Sequence, residues 1–73
     1  MNESDLTALA IYVAAARDIG DALDLIASSE DRAAMETLHR MLTTRGSPTT
    51  DEDLNQLLAS VVERRIEQLQ RAA

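Results

Sequence analysis

The chain has no cysteine, lysine, tryptophan or phenylalanine; Tyr12 is its single aromatic residue, and it holds only two glycines and one proline. Without cysteine there can be no disulfide and no thiolate zinc site. Without large rings, any core must be built from aliphatic side chains and methionine. Strand-forming residues are few and never alternate with polar ones, so no β-strand is expected. The longest charge-free stretch, residues 6–16, has eleven residues, whereas a bilayer-spanning helix needs about 20. The opening MNESD is acidic, the wrong sign for a secretory signal or transit peptide. These absences describe a soluble, cytoplasmic chain, read as a complete small protein. All seven basic residues are arginine. With the high alanine content, this points to a GC-rich bacterial genome, or to its phage or plasmid.

A length of 73 residues allows one domain, residues 1–73. So short a chain buries only about 60% of its unfolded surface. With disulfides and cysteine-bound metals excluded, close helix packing and oligomerisation are the remaining ways to stability. The net charge is −6, of which residues 1–29 carry −4. Phosphate backbones would be repelled, so no nucleic-acid partner is expected, and the charge-free stretch is too short for a membrane partner.

What is present is helical periodicity, in three segments at about 5–28, 30–44 and 51–71. In the first, Leu6, Leu9, Val13, Ala16, Gly20, Leu23 and Ala27 fall on one stripe, and Ala8, Tyr12, Ala15, Ile19, Ala22 and Ile26 on a second beside it. Ile11 and Leu25 lie outside both. This is wider than the single apolar face of an ordinary surface helix. The pattern predicts one continuous helix; the rival reading ends a first helix at Gly20 and caps a second with Asp21. Ser29 is expected to cap the second segment, whose stripe is Ala34, Met35, Leu38, Met41 and Leu42, with Glu36 and Arg40 paired outside. Arg45 to Pro48 reads as a stop and turn, and Thr49 and Thr50 with Glu52 and Asp53 as a capping box. The third segment presents Leu54, Leu57, Leu58, Val61, Val62, Ile66 and Leu69 on one side, with Glu67 and Arg71 as an outer pair.

The fold class that follows is all-α: a small three-helix bundle, a helical hairpin plus a third helix. Three helices leave one flank of the first uncovered, so completion by homodimerisation is expected. The dimer or partner interface assigned from the sequence comprises Leu6, Leu9, Ile11, Tyr12, Val13, Ala16 and Gly20. Candidate partner contacts are Asp18, Asp21, Asp24, Leu25 and Arg65. The three aspartates repeat every third residue near the expected end of a helix, where they oppose its dipole. A contact strip for a basic partner, pairing with Arg64 and Arg65, and a solvated face all fit. Arg65 intrudes on the apolar side of its helix, either with its stem laid along the surface or as an interface residue. His39 is expected to face solvent.

No catalytic, cofactor-binding or metal-ligating residues are assigned. No serine or threonine is placed to meet His39 as a nucleophile, and carboxylates spaced i, i+3, i+6 fan out too widely for one cation. The functional expectation is a non-enzymatic, acidic, protein-binding regulator or adaptor that occludes or bridges a partner protein, such as a bacterial, phage or plasmid inhibitor. A docking domain, a co-chaperone or an antitoxin-like partner of a larger assembly is the alternative. In helix order alone the chain resembles the all-helical chorismate mutases, which would imply an intertwined dimeric enzyme. Their sites need several cationic groups around a dicarboxylate, whereas the first helix here offers only Arg17.

Overall fold

The computed structural model describes residues 2–44 and 51–72. The expected turn at Arg45 to Pro48 and the threonines of the expected capping box, Thr49 and Thr50, lie outside them. Among the described residues there are four α-helices and no strand: α1 (Glu3–Arg17), α2 (Ile19–Ser28), α3 (Arg32–Thr44) and α4 (Glu52–Ala72). The all-α bundle stands, with one more helix than the periodicity predicts.

The extra helix arises at Asp18. Its backbone is extended (φ −156°, ψ 109°) and closes α1 while opening α2. The Asp18 N–H donates to the Ala14 carbonyl at 2.7 Å, and its own carbonyl accepts from Ala22 at 3.3 Å. Its carboxylate accepts from the Gly20 N–H at 3.0 Å, satisfying a donor that the new helix leaves unpaired. Asp18 therefore caps a second helix, and Gly20 lies inside it rather than at the break. A continuous helix over 5–28 is corrected, because aspartate offers the backbone a better local bond than helix continuation does. The same break removes the long first helix on which the resemblance to chorismate mutases in helix order rested.

The other helix starts use the same device. Asn2 caps α1, its side chain accepting from the Asp5 N–H at 2.9 Å. Asp31, rather than Ser29, caps α3, accepting from Ala34 at 3.1 Å. Its second oxygen takes the Ser4 hydroxyl at 2.8 Å, tying the start of α3 to the first turn of α1. These bonds, that from Ala34 first and that from Ser4 second, hold the Asp31 carboxyl below the ordinary aspartate range. Asp51 caps α4 through the N–H groups of Asp53 and Leu54.

The helices form a ring in which α1 packs on α2 and α3, and α4 packs on α3 and α2. Ala8, Ile11 and Ala15 of α1, Ala22 and Ile26 of α2, Ala34, Met35 and Leu38 of α3, and Leu58 and Val62 of α4 close one core. The radius of gyration, 11.1 Å, is what a compact chain of this length has, roughly 11 Å. Arg65 locks the ring. Its Nε and Nη2 both donate to the Ser29 carbonyl, at 3.0 and 2.8 Å, and its Nη1 donates to Gln68. The last turn of α2 has no basic residue of its own, so α4 supplies the cation that its C-terminal carbonyls favour.

Two fold predictions follow from these bonds. Asp18→Ala should lower stability by about 1 kcal/mol while Asp18→Asn, which keeps the cap, loses well under half of that, measured by urea unfolding. Asp31 has a lowered folded-state value, so its stabilisation is present above the unfolded-state value of about 3.9 and is lost as pH falls through the lower folded one. The melting temperature of the native chain should therefore drop below about pH 4 more steeply than that of Asp31→Asn.

Candidate functional site: an outward apolar face on the first helix

At 100° per residue, the buried residues of α1 (Ala8, Ile11, Ala15) cluster on one side of the helix. Glu3, Leu6, Ala10, Val13 and Arg17, all exposed, run along nearly the opposite side. A surface helix normally carries its polar residues there. Here that side holds Leu6 at 54% and Val13 at 49% exposure, with no charge between Asp5 and Arg17. Sizes are also inverted. Two of the three core-facing side chains are alanine, and the largest fully buried ones, Ile26, Met35, Leu38, Leu58 and Val62, all come from the other helices. Alanine inward lets α1 settle closely on α3. The leucine and valine that could have thickened the core point to water instead.

An open hollow is lined by Leu6, Leu9, Ala10, Val13, Ala14 and Arg17. Ala14 also borders a second hollow with Asp21, Asp24, Leu25 and Ser28, where Leu25 is 44% exposed. The two hollows meet at Ala14, so the apolar surface of α1 leads on to Leu25 of α2, with Arg17 at the end of the α1 part and Asp21 and Asp24 along the α2 part.

The residues assigned from sequence divide accordingly. Leu6 and Val13 lie on the exposed face, Leu9 is half-buried beside it, and Ala16 and Gly20 are exposed. Ile11 is a correction: at 2% exposure it belongs to the core and has no surface to offer a partner. It lies on the inner side because the core runs along the second stripe, through Ala8 and Ala15, and Ile11 stands on the edge of that stripe away from the first. Tyr12 is half-buried against that core. The aspartates resolve differently. Asp18 is a cap, and Asp21 lies in the first turn of α2, where negative charge suits the dipole. For Asp21 the apparent conflict with a helix C-terminus existed only for an unbroken helix; Asp18 still closes α1 while it caps α2. Among the described residues none of the three pairs with Arg64 or Arg65; Arg65 is half-buried and donates to the Ser29 carbonyl, so it also serves inside the fold.

Two further assignments change. His39, expected in solvent, is half-buried and bonds Glu63 of α4, Nε2 to Oε1, at 2.8 Å. The outer pair on α3 is Arg32 with Glu36, at 3.2 Å, rather than Glu36 with Arg40. Ala10 is the site residue that sequence reading missed, since it belongs to neither stripe; the i, i+4, i+7 spacing from Leu6 through Val13 contains it once the inner side is known. Among the described residues, no three histidine or acidic side chains gather as a metal site would need. No described helix is long and apolar enough to cross a membrane.

The two sides of α1 should respond oppositely to substitution. Ile11→Ala should remove about 3 kcal/mol, enough to unfold much of a domain this size. Val13→Gln and Leu6→Gln should each stay within roughly 0.5 kcal/mol of the native chain. Chemical unfolding followed by circular dichroism reads all three, and a Val13→Gln loss as large as that of Ile11→Ala would show that the outer face is core after all.

No protein-family model, no curated protein and no solved structure matches this chain.

Proposed function

We propose that this chain is a small acidic protein-binding regulator or adaptor, working in the cytoplasm by occluding or bridging a partner protein. The observation that carries this reading is the inverted α1, with small residues turned to the core and Leu6 and Val13 turned to water although a closed core already exists. Each of these aliphatic side chains is about half exposed and so forgoes roughly 1 kcal/mol of burial. A run of them on one face, continuous with Leu25 on α2, is the form of surface that associates. Asp21 and Asp24 beside Leu25 give that end of the track an acidic rim, which suits a partner segment with an apolar anchor and basic neighbours. The arginine-only, alanine-rich composition supports a bacterial, phage or plasmid origin, and an inhibitor of a host protein is one job such a surface can hold.

Affinity capture from a bacterial lysate, compared between the native chain and the variants Leu25→Lys and Val13→Glu, tests the reading. One protein should recur with the native chain and be lost with at least one variant, while both variants keep native helicity. Recovery unchanged by both substitutions, or nothing above background, would count against it.

A further inference from the structure

We infer that the occupant of the α1 face is a second copy of this chain, packed antiparallel about a twofold axis at Ala10. The inference rests on the association role proposed above and names who associates. Glu3, Leu6, Ala10, Val13 and Arg17 are spaced 3, 4, 3, 4, the spacing of a coiled-coil seam, and all five are exposed. They span about 21 Å, some four helical turns. Read from either end, the seam runs charged, large, small, large, charged. Its two charged ends have opposite sign.

That order is complementary to itself only when reversed. In an antiparallel pair, Ala10 meets the partner's Ala10, Leu6 meets the partner's Val13, and Glu3 meets the partner's Arg17. The small central residue lets the two axes approach closely while the larger pairs fill the space on either side. A parallel pair would set Glu3 against Glu3 and Arg17 against Arg17. Among the described residues, neither Glu3 nor Arg17 has an ion-pair partner within the chain, so both are available. An isologous contact of this kind closes at two copies and cannot propagate. A basic amphipathic helix is less well matched, because the seam is uncharged between its ends and its Arg17 end would repel one. The carboxylates of Asp21 and Asp24 lie on α2, beyond the Arg17 end, and stay outside the seam.

Charge reversal and cysteine pairing test this together, in about 0.15 M salt so that only close pairs count. Sedimentation equilibrium up to about 500 µM should show a monomer–dimer equilibrium. Glu3→Arg and Arg17→Glu should each weaken it about tenfold, since two symmetric pairs are reversed in each dimer. An equimolar mixture of the two variants should recover the native strength, because every facing pair is again opposite in sign. The chain has no cysteine of its own, so Leu6→Cys and Val13→Cys report alone. Mixed and oxidised, they should give the hetero-linked dimer in preference to either homo-linked one. A native chain that stays monomeric throughout overturns the inference, as does a dimer indifferent to both charge reversals or one linking Leu6→Cys mainly to itself. If the native chain is monomeric yet Val13→Glu loses a captured protein, self-pairing falls and the association role stands.

Discussion

The bond from the Gly20 N–H to the Asp18 carboxylate is the contact on which the architecture turns. A helix carried through residue 18 would lay α1 and α2 along one axis and cover one side of the remaining chain. Breaking it there lets α1 settle on α3 while α2 reaches α4. The four helices can then surround a core made mostly of mid-sized aliphatic side chains. The same ring keeps α4 occupied with α2 and α3, so it does not serve as a cover for the outer side of α1.

Helix ends do much of the remaining organising. Asparagine or aspartate stands at the start of all four helices, and each supplies an acceptor where backbone donors would otherwise lack partners. Asp31 and Arg65 go further, because each joins elements distant in sequence. Asp31 takes the Ser4 hydroxyl as well as a backbone donor of its own helix. Arg65 reaches thirty-six residues back to the carbonyl that closes α2. A small core without aromatic mass gains definition from such polar fasteners, since aliphatic contacts alone are poor at selecting one arrangement among several.

The functional reading grows from an imbalance inside one helix. Side chains that would have enlarged the core are presented to water, and small ones are turned in. The net charge of −6 over 73 residues sets like charges against each other and so opposes unspecific clumping of chains that expose such a track. A second copy packed antiparallel on α1 and a further protein on the Leu25 side would use different stretches of that track, so self-pairing and partner binding need not compete.

Helix content, the absence of strands among the described residues and the inner positions of α3 and α4 were legible along the chain, because burial on one side imprints a single 3.6-residue stripe: Ala34, Met35 and Leu38, then Leu58 and Val62. The excess of apolar surface in the first third was legible for the same reason. The direction of that excess was not. Two faces of α1 carry hydrophobic residues, and periodicity cannot say which of them the chain itself covers, so Ile11 was counted outward and Ala10 passed over. The rival reading put the break at Gly20 with Asp21 as its cap; aspartates stand on both sides of that glycine, and only the tertiary structure shows that the chain turns on Asp18. The bonds of His39 and Arg65 were not legible because their partners, Glu63 and the Ser29 carbonyl, are remote in sequence. The chain by itself determined that it is helical and more apolar at its start than one closed face requires; the tertiary structure decided which side of α1 meets water, because that depends on where the other three helices lie.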